Sequence, residues 1–522
     1  MRSARAIPGL VLVIFTTLAC AWTLAAQEHH HAGGAEAMGG GHLGQVRFAT
    51  SCAPAVQQNF EKGVALLHSF QYSASDQLFK QVAAADPSCA IAYWGEAMTL
   101  WHALWERPDA VTMKTGHDEI DQAVQLTAKT ARERDYIAAA GAFYQDDPKL
   151  DYTARAKAYS AAMGKLHETY SEDGEAAAFY ALSLISIPAH GDADRADREK
   201  AIAILNKLFA SEPDHPGAAH YLIHACDTPE LAPQGLIAAR RYAKIAPESS
   251  HALHMPSHIF SRLGLWQESI DSNIAAAAAA EQATKAHLGD ANYQLHAMDF
   301  LEYAYLQSGR NADAQHVIDE VPGVPGASAE QIANHQAVFR ARYALETHAW
   351  KLAAALELPI GPAEDCPDCR LSAQDTTWWA RAIGAARSGD VAGARTDLDK
   401  LIAATTAAHD KMKQQGYKDE GKERIDQLEA KAWVAYAEGN RDDALKTLRA
   451  TADREDREGV DDLGIPAREM LGDMLMESNQ AEAALAAYQT ALKESPNRLD
   501  SLHGVELAGK ATGREQPAGG SK

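Results

Sequence analysis

The stretch Ile465–Arg498, IPAREMLGDMLMESNQAEAALAAYQTALKESPNR, decides the fold. Gly472 and Leu475, then Ala484, Tyr488 and Ala491, recur at intervals of three and four, the spacing that puts residues on one face of a helix. Pro496 ends the second run. The stretch therefore reads as two short helices folded against each other. Near the other end of the chain, counted from Val56, Gly63, Leu66, Ser75, Val82 and Pro87 fall at matching offsets. Between them, Gly264 with Ser269, Gly309 with Ala314, Gly389 with Ala394 and Gly439 with Ala444 keep one five-residue offset from turn to small residue, and His348 with Ala353 keeps it in a degenerate unit. One helical hairpin cannot bury its apolar face alone, whereas stacked hairpins share a continuous core.

This pattern resembles the tetratricopeptide repeat, a unit of about 34 residues with small residues at positions 8, 20 and 27 and proline at 32. The resemblance implies an all-α fold, a solenoid of helical hairpins coiled into a right-handed superhelix, with the first helix of each unit lining a concave groove. It further implies a protein or peptide ligand held there by side chains at positions such as 2, 5 and 9. The segments HSFQYSASDQLFKQVAAADPSCAIAYWGEAM and HALHMPSHIFSRLGLW also resemble exported bacterial tetratricopeptide-repeat proteins, a likeness that transfers no functional residues. The expected solenoid spans 46–512, with poorer repeats over 106–215 and a capping helix over 497–512; 513–522 reads as a flexible tail.

The first 26 residues carry Arg2 and Arg5, an apolar run from Leu10 to Ala21 and small residues at Ala25 and Ala26, the pattern of a signal peptide. The expected location is periplasmic or secreted, and Thr17-Leu18-Ala19-Cys20 is a poor lipoprotein box. No other run approaches the length of a membrane span. Residues 27–45, with His29, His30, His31 and His42 among Gly and Ala, read as a disordered leader: a solvated tail or a weak Cu or Zn binder. The 522-residue chain has 49 Lys plus Arg against 71 Asp plus Glu, a formal net charge of -22. That balance argues against nucleic acid as a partner and favours cations or basic peptides. In an oxidising compartment, Cys52 and Cys89, each just before a predicted helix in adjacent repeats, are a predicted disulfide. Cys366 and Cys369 suggest a local disulfide or half of a metal site, which leaves Cys226 over.

Histidines supply the chemistry. His215, His220, His224, His251, His254 and His258 fall in one short segment. In the unit counted from Ser250, His251, His254 and His258 occupy positions 2, 5 and 9 of one face. The same face carries His296, Asp299 and Tyr303 in the next unit, then His335 and Arg342 in the one after. A groove column of His220, His251, His296 and His335 follows. Imidazoles three or four residues apart on a helix can also share one Zn or another first-row metal, with His220, His224, His251, His254, His258, His296 and Asp299 as candidate ligands and Asp214, Asp227 or Cys226 nearby. The competing reading is a set of hydrogen-bonded structural histidines. HExxH, GxSxG and Gly-rich phosphate loops are all missing, so no catalytic residue is assigned and enzymatic activity rests on clustering alone. The leading expectation is an extracytoplasmic scaffold that binds a protein or peptide. The alternative is a metal-binding protein or metal-dependent hydrolase, with Zn or Cu as the only cofactors implied.

Overall fold

Paired helices follow one another along the described chain, which in the computed structural model covers residues 42–104, 107–188, 192–287, 289–359, 373–414, 423–459 and 463–513. The first five hairpins are α1 (Gln57–His68) with α2 (Tyr72–Ala85), α3 (Ala90–Thr99) with α4 (Ala110–Leu126), α5 (Ala131–Phe143) with α6 (Tyr152–Thr169), α7 (Gly174–Ile185) with α8 (Asp192–Ser211), and α9 (Pro216–Cys226) with α10 (Ala232–Ile245). The sixth is broken on one side, α11 (Ser250–His254) running into α12 (Pro256–Arg262) before α13 (Trp266–Lys285). Then come α14 (Ala291–Gln307) with α15 (Asn311–Glu320), α16 (Ala329–Glu346) with α17 (Trp350–Ala354), α18 (Ala373–Ser388) with α19 (Val391–Gln414), α20 (Ile425–Ala437) with α21 (Arg441–Glu458), α22 (Ala467–Glu477) with α23 (Ala481–Glu494), and the terminal α24 (Leu499–Ala511). The described residues contain no strand, and the architecture is an all-α solenoid of the tetratricopeptide type. Hairpins continue through 107–215, where the repeat signature is weak.

Turn geometry and close packing account for the repeat. At position 15 of each recognised unit the backbone is left-handed: Phe70 (φ 54°), Gly264 (64°), Gly309 (69°), His348 (54°), Gly389 (89°), Gly439 (89°) and Asn479 (58°). That conformation ends the first helix and reverses the chain. At position 8, a Cβ on Gly472 would stand 2.5 Å from the Tyr488 ring, and one on Gly63 2.8 Å from Phe79. The missing side chain lets the two helices of a unit touch.

The coil closes on itself twice. In the N-terminal half, one apolar core runs from Phe48 to Phe260. There α1 packs against α9, Tyr242 donates to Ser69 Oγ at 3.2 Å, and Gln45 N–H donates to the Asp214 carbonyl at 2.9 Å. Residues 42–45 therefore do not belong to a disordered leader. Leu43 is buried and His42 Nδ1 lies 2.8 Å from the Ile245 carbonyl. In the C-terminal half, the segment before α24 returns to the middle of the chain. Trp266 Nε1 donates to the Asn497 carbonyl at 2.9 Å, and Asn497 Nδ2 to the Gly264 carbonyl at 3.2 Å. Fully buried Arg498 bonds Glu346 and Glu469, each at 2.8 Å, and Tyr303 at 3.1 Å. Residues 497–512 thus do more than cap the stack: they clasp hairpins far away in sequence.

Cys52 and Cys89 form a disulfide, which ties the segment before α1 to the start of α3. Residues 1–26, read from their sequence as a signal peptide, residues 27–41, Cys366, Cys369 and 514–522 lie outside the described residues. No described helix is long and apolar enough to cross a membrane.

Candidate metal centre

The histidine-rich segments build three adjoining helices. His215 caps α9, its Nδ1 accepting from Ala218 N–H at 3.1 Å, and Pro216 follows where a missing N–H costs nothing. His220 and His224 then project from one face of α9 at an i, i+4 spacing. Ser249 caps α11 by accepting from Ala252 N–H at 3.2 Å. Pro256 has no N–H for the carbonyl of Ala252, so the helix is interrupted there, and His258 N–H bonds back to Met255 at 3.2 Å in a tighter turn. This joint carries His251 on one side and His258 on the other. His296 comes from α14 in the next hairpin.

These six imidazoles gather into two trios. The ligand nitrogens of His220, His224 and His251 lie within 4.8 Å of one another, and so do those of His254, His258 and His296. His220 Nε2 is 3.1 Å from both His224 Nε2 and His251 Nε2, and His254 Nε2 is 3.1 Å from His258 Nε2. Nitrogens about 2.0–2.1 Å from one ion, at angles from a right angle to the tetrahedral value, stand roughly 2.9–3.4 Å apart. The observed separations fall in that interval.

The other ring nitrogens are already committed, which decides where the protons sit. His220 Nδ1 is 2.6 Å from the His68 carbonyl, which can only accept. His258 Nδ1 is 3.0 Å from Asp227 Oδ2, whose carboxylate also accepts from Arg262 Nε at 2.9 Å. His254 Nδ1 is 2.7 Å from Asn273 Oδ1. The Asn273 amide is oriented by its own Nδ2 donating to the Ser269 carbonyl at 2.8 Å. In the neutral rings of His254 and His258, therefore, Nδ1 carries the hydrogen and the Nε2 lone pairs face each other. Such lone pairs repel unless a cation lies between them. Burial together with the other imidazoles pushes the pKa values of His220, His224, His251 and His254 well below the usual histidine range, which disfavours a proton on those four rings. A metal ion meets the same requirement. Nδ1–H groups held by a carbonyl, a carboxylate and an amide are the outer hydrogen bonds that orient histidine ligands.

A third cluster behaves differently. His68 Nε2 lies 2.7 Å and His215 Nε2 3.2 Å from Glu175, while His68 Nδ1 lies 2.9 Å from the Tyr221 hydroxyl. His215 Nδ1 is occupied by its cap, so Nε2–H donates to Glu175. Every nitrogen of this buried network has a complementary partner, and burial lowers the His68 pKa despite the adjacent carboxylate. It is a structural brace that holds the His68 carbonyl against His220.

A phenylalanine touches all three rings of each trio. Phe70 has centroids 4.4, 5.6 and 5.8 Å from His220, His224 and His251. Phe300 lies 4.8, 4.6 and 5.4 Å from His254, His258 and His296. Phe70 is also a bulky residue in a left-handed turn, an unfavourable conformation that persists only where its surroundings enforce it.

Other candidate residues lie elsewhere. The Asp299 carboxylate is 2.7 Å from Arg342, which also bonds buried Glu302 at 2.8 Å, so Asp299 serves an ion pair and is not among the clustered ligands. Tyr303 is buried beside Arg498. His335 bonds its own helix at the Gln331 carbonyl, 2.9 Å away, and packs on Phe339. The expected column of four histidines is split accordingly: His220 and His251 meet in one trio, His296 joins the other, and His335 stands apart. His220, His251 and His254 are buried and face one another, where open groove residues were expected. The Cys226 thiol is buried, pushed up to about 12 by desolvation, and does not join the clustered nitrogens. Asn273, His68 and Phe70 have functions in the site that the histidine spacing does not reveal. Phe70 alone had a signal, a large aromatic at a position where four other units place glycine.

Among the solved structures that the chain matches are three of low identity. The TPR domain of P58(IPK) is 11% identical, covering 88% of this chain and 99% of that one with a TM-score of 0.23. Yeast Tom70 is 12% identical, covering 88% and 96% with a TM-score of 0.33. Human IFIT1, solved as a dimer with m7Gppp-AAAA, is 12% identical, covering 82% and 94% with a TM-score of 0.32. No family model and no curated protein matches the chain. The assignment to the tetratricopeptide type rests on the chain's own hairpins and left-handed turns.

Proposed function

We propose that the chain is an exported solenoid protein that binds a first-row transition metal through His220, His224 and His251 and through His254, His258 and His296. One observation carries this reading: the Nε2 atoms of His254 and His258 face each other at 3.1 Å while both Nδ1 atoms are committed to acceptors. Export is supported by the charged, apolar and small-residue pattern of residues 1–26. The test is elemental analysis and metal titration of the untagged chain with alanine at His29, His30 and His31, which keeps the leader out of the count. At least one equivalent of Zn or Cu should survive dialysis, and the His254→Ala/His258→Ala variant should hold less. Below about a tenth of an equivalent, with no uptake on titration, the proposal fails, because a site with three protein ligands binds too tightly to come up bare.

A second reading, protein or peptide binding, is supported by a cleft of about 540 Å³ between α13, α14 and α15. Its lining includes the apolar Ile274, Met298 and Leu301 and the acidic Glu281, Asp313 and Glu320, a combination that suits a basic amphipathic segment. Because the cleft lining includes none of the metal-site histidines, capture by this surface should survive the His251→Ala/His254→Ala/His296→Ala variant. A pulldown that loses its partner with that variant would return binding to the histidine face.

A further inference from the structure

Resting on that metal-binding reading, we infer that the two histidine trios are one dinuclear copper centre, which takes up dioxygen between its ions. The first support is continuity. His224 and His258 have centroids 6.2 Å apart, and His251 and His254 6.3 Å. Spacings within the trios run from 4.5 Å for His254 and His296 to 6.5 Å for His224 and His251. The two spacings between trios thus fall inside the range found within them, and α11 supplies a ligand to each, His251 to one and His254 to the other.

The second support is a shared plan. Each trio takes an i, i+4 pair, His220 with His224 on α9 or His254 with His258 across the joint between α11 and α12. The third ligand, His251 or His296, comes from the following hairpin, and a phenylalanine packs on all three rings. Three ligands leave each ion an open position for an exogenous molecule.

The third support is charge. Neither trio contains a carboxylate. The nearby Asp227 is shared between His258 and Arg262. Two divalent ions would bring four positive charges among neutral ligands in a buried site, and the cost of burying charge rises with its square. Helical sites for paired divalent iron or manganese supply several glutamates for that reason. Cu(I) halves the charge and is well served by imidazole. In the dioxygen step each Cu(I) gives one electron, O2 accepts both, and the product is peroxide with one oxygen bonded to each Cu(II). No proton or further reductant is needed, and reversal releases O2.

The test loads the full chain, with alanine at His29, His30 and His31, with Cu(I) under anaerobic conditions. Copper is then counted, and spins are counted after exposure to O2. About two copper ions per chain are expected, with a near-ultraviolet peroxide band and almost no paramagnetic signal, because the two Cu(II) ions couple through the bridge. His296→Ala should drop copper toward one ion, abolish the band and produce the signal of an isolated Cu(II). Two full spins per chain in the unsubstituted protein would overturn the paired centre while leaving metal binding intact. Binding of Zn(II) with no uptake of Cu(I) would overturn the copper assignment alone. No uptake of either metal would overturn the parent reading. Since the spin count needs no variant, a His296→Ala chain that fails to fold leaves the result decisive.

Discussion

At the scale of single residues, the proposed metal centre would depend on atoms that never reach the ion. Asn273 fixes the ring of His254 through its oxygen and is itself aligned by Ser269. Asn273→Ala should keep all six histidines yet weaken metal affinity by about 10–100-fold, as loss of an outer hydrogen bond does elsewhere. Competition against a chromophoric chelator measures this, and an unchanged affinity would mean that packing alone orients His254. The His68 carbonyl performs the same service for His220 and is held by the network around Glu175. The histidines of the centre were legible in the sequence because their spacing marks helical faces. Asn273 and His68 were not, because each acts from another helix across a tertiary contact.

At the scale of elements, the hairpin depends on a few close approaches. Gly472 lies against Tyr488, and a methyl group there would stand 2.5 Å from the ring. Gly472→Ala should therefore destabilise by about 1–3 kcal/mol through overpacking. Gly439 has open space around it but a φ of 89°. Gly439→Ala should cost roughly 1–2 kcal/mol for the left-handed backbone alone. Urea unfolding of both variants separates the two causes. Equal stability of Gly472→Ala and the parent chain would contradict the observed helix contact. The hairpin repeat itself was readable from small residues and turn positions. The break between α11 and α12 was hinted at by Pro256, but the assignment of His251 to one trio and of His254 with His258 to the other required the packed neighbours.

At the scale of the whole molecule, two clasps and one group of uncharged imidazoles set stability. Arg498 joins the C-terminal unit to Glu346 and Tyr303 across the fold. Arg498→Ala leaves buried carboxylates without their cation and should cost about 3–5 kcal/mol, visible as a lower melting temperature. The metal-free protein should also lose stability as pH falls. His220, His224, His251 and His254 have pKa values lowered in the folded state, so below the unfolded value near 6.5 the unfolded chain binds protons that the folded one refuses. Stability from these groups is complete above that pH and drains away below it. Metal binding, which also needs neutral rings, should weaken in the same direction. Denaturant midpoints that are flat between pH 7.5 and about 5 would refute the assignment of buried neutral histidines.

By itself the sequence determined that this protein is a stack of helical hairpins, and it determined which histidines share a helical face. Both follow from local rules: the helical period, the left-handed turn and the small residue that lets two helices touch. Only the tertiary structure decided that the coil closes twice, that Arg498 and the residues at 42–45 are clasps, and that the histidine faces turn inward toward one another. Those outcomes depend on residues far apart in the chain. The angle between one hairpin and the next is set by many small packing contacts, and no residue spacing records it.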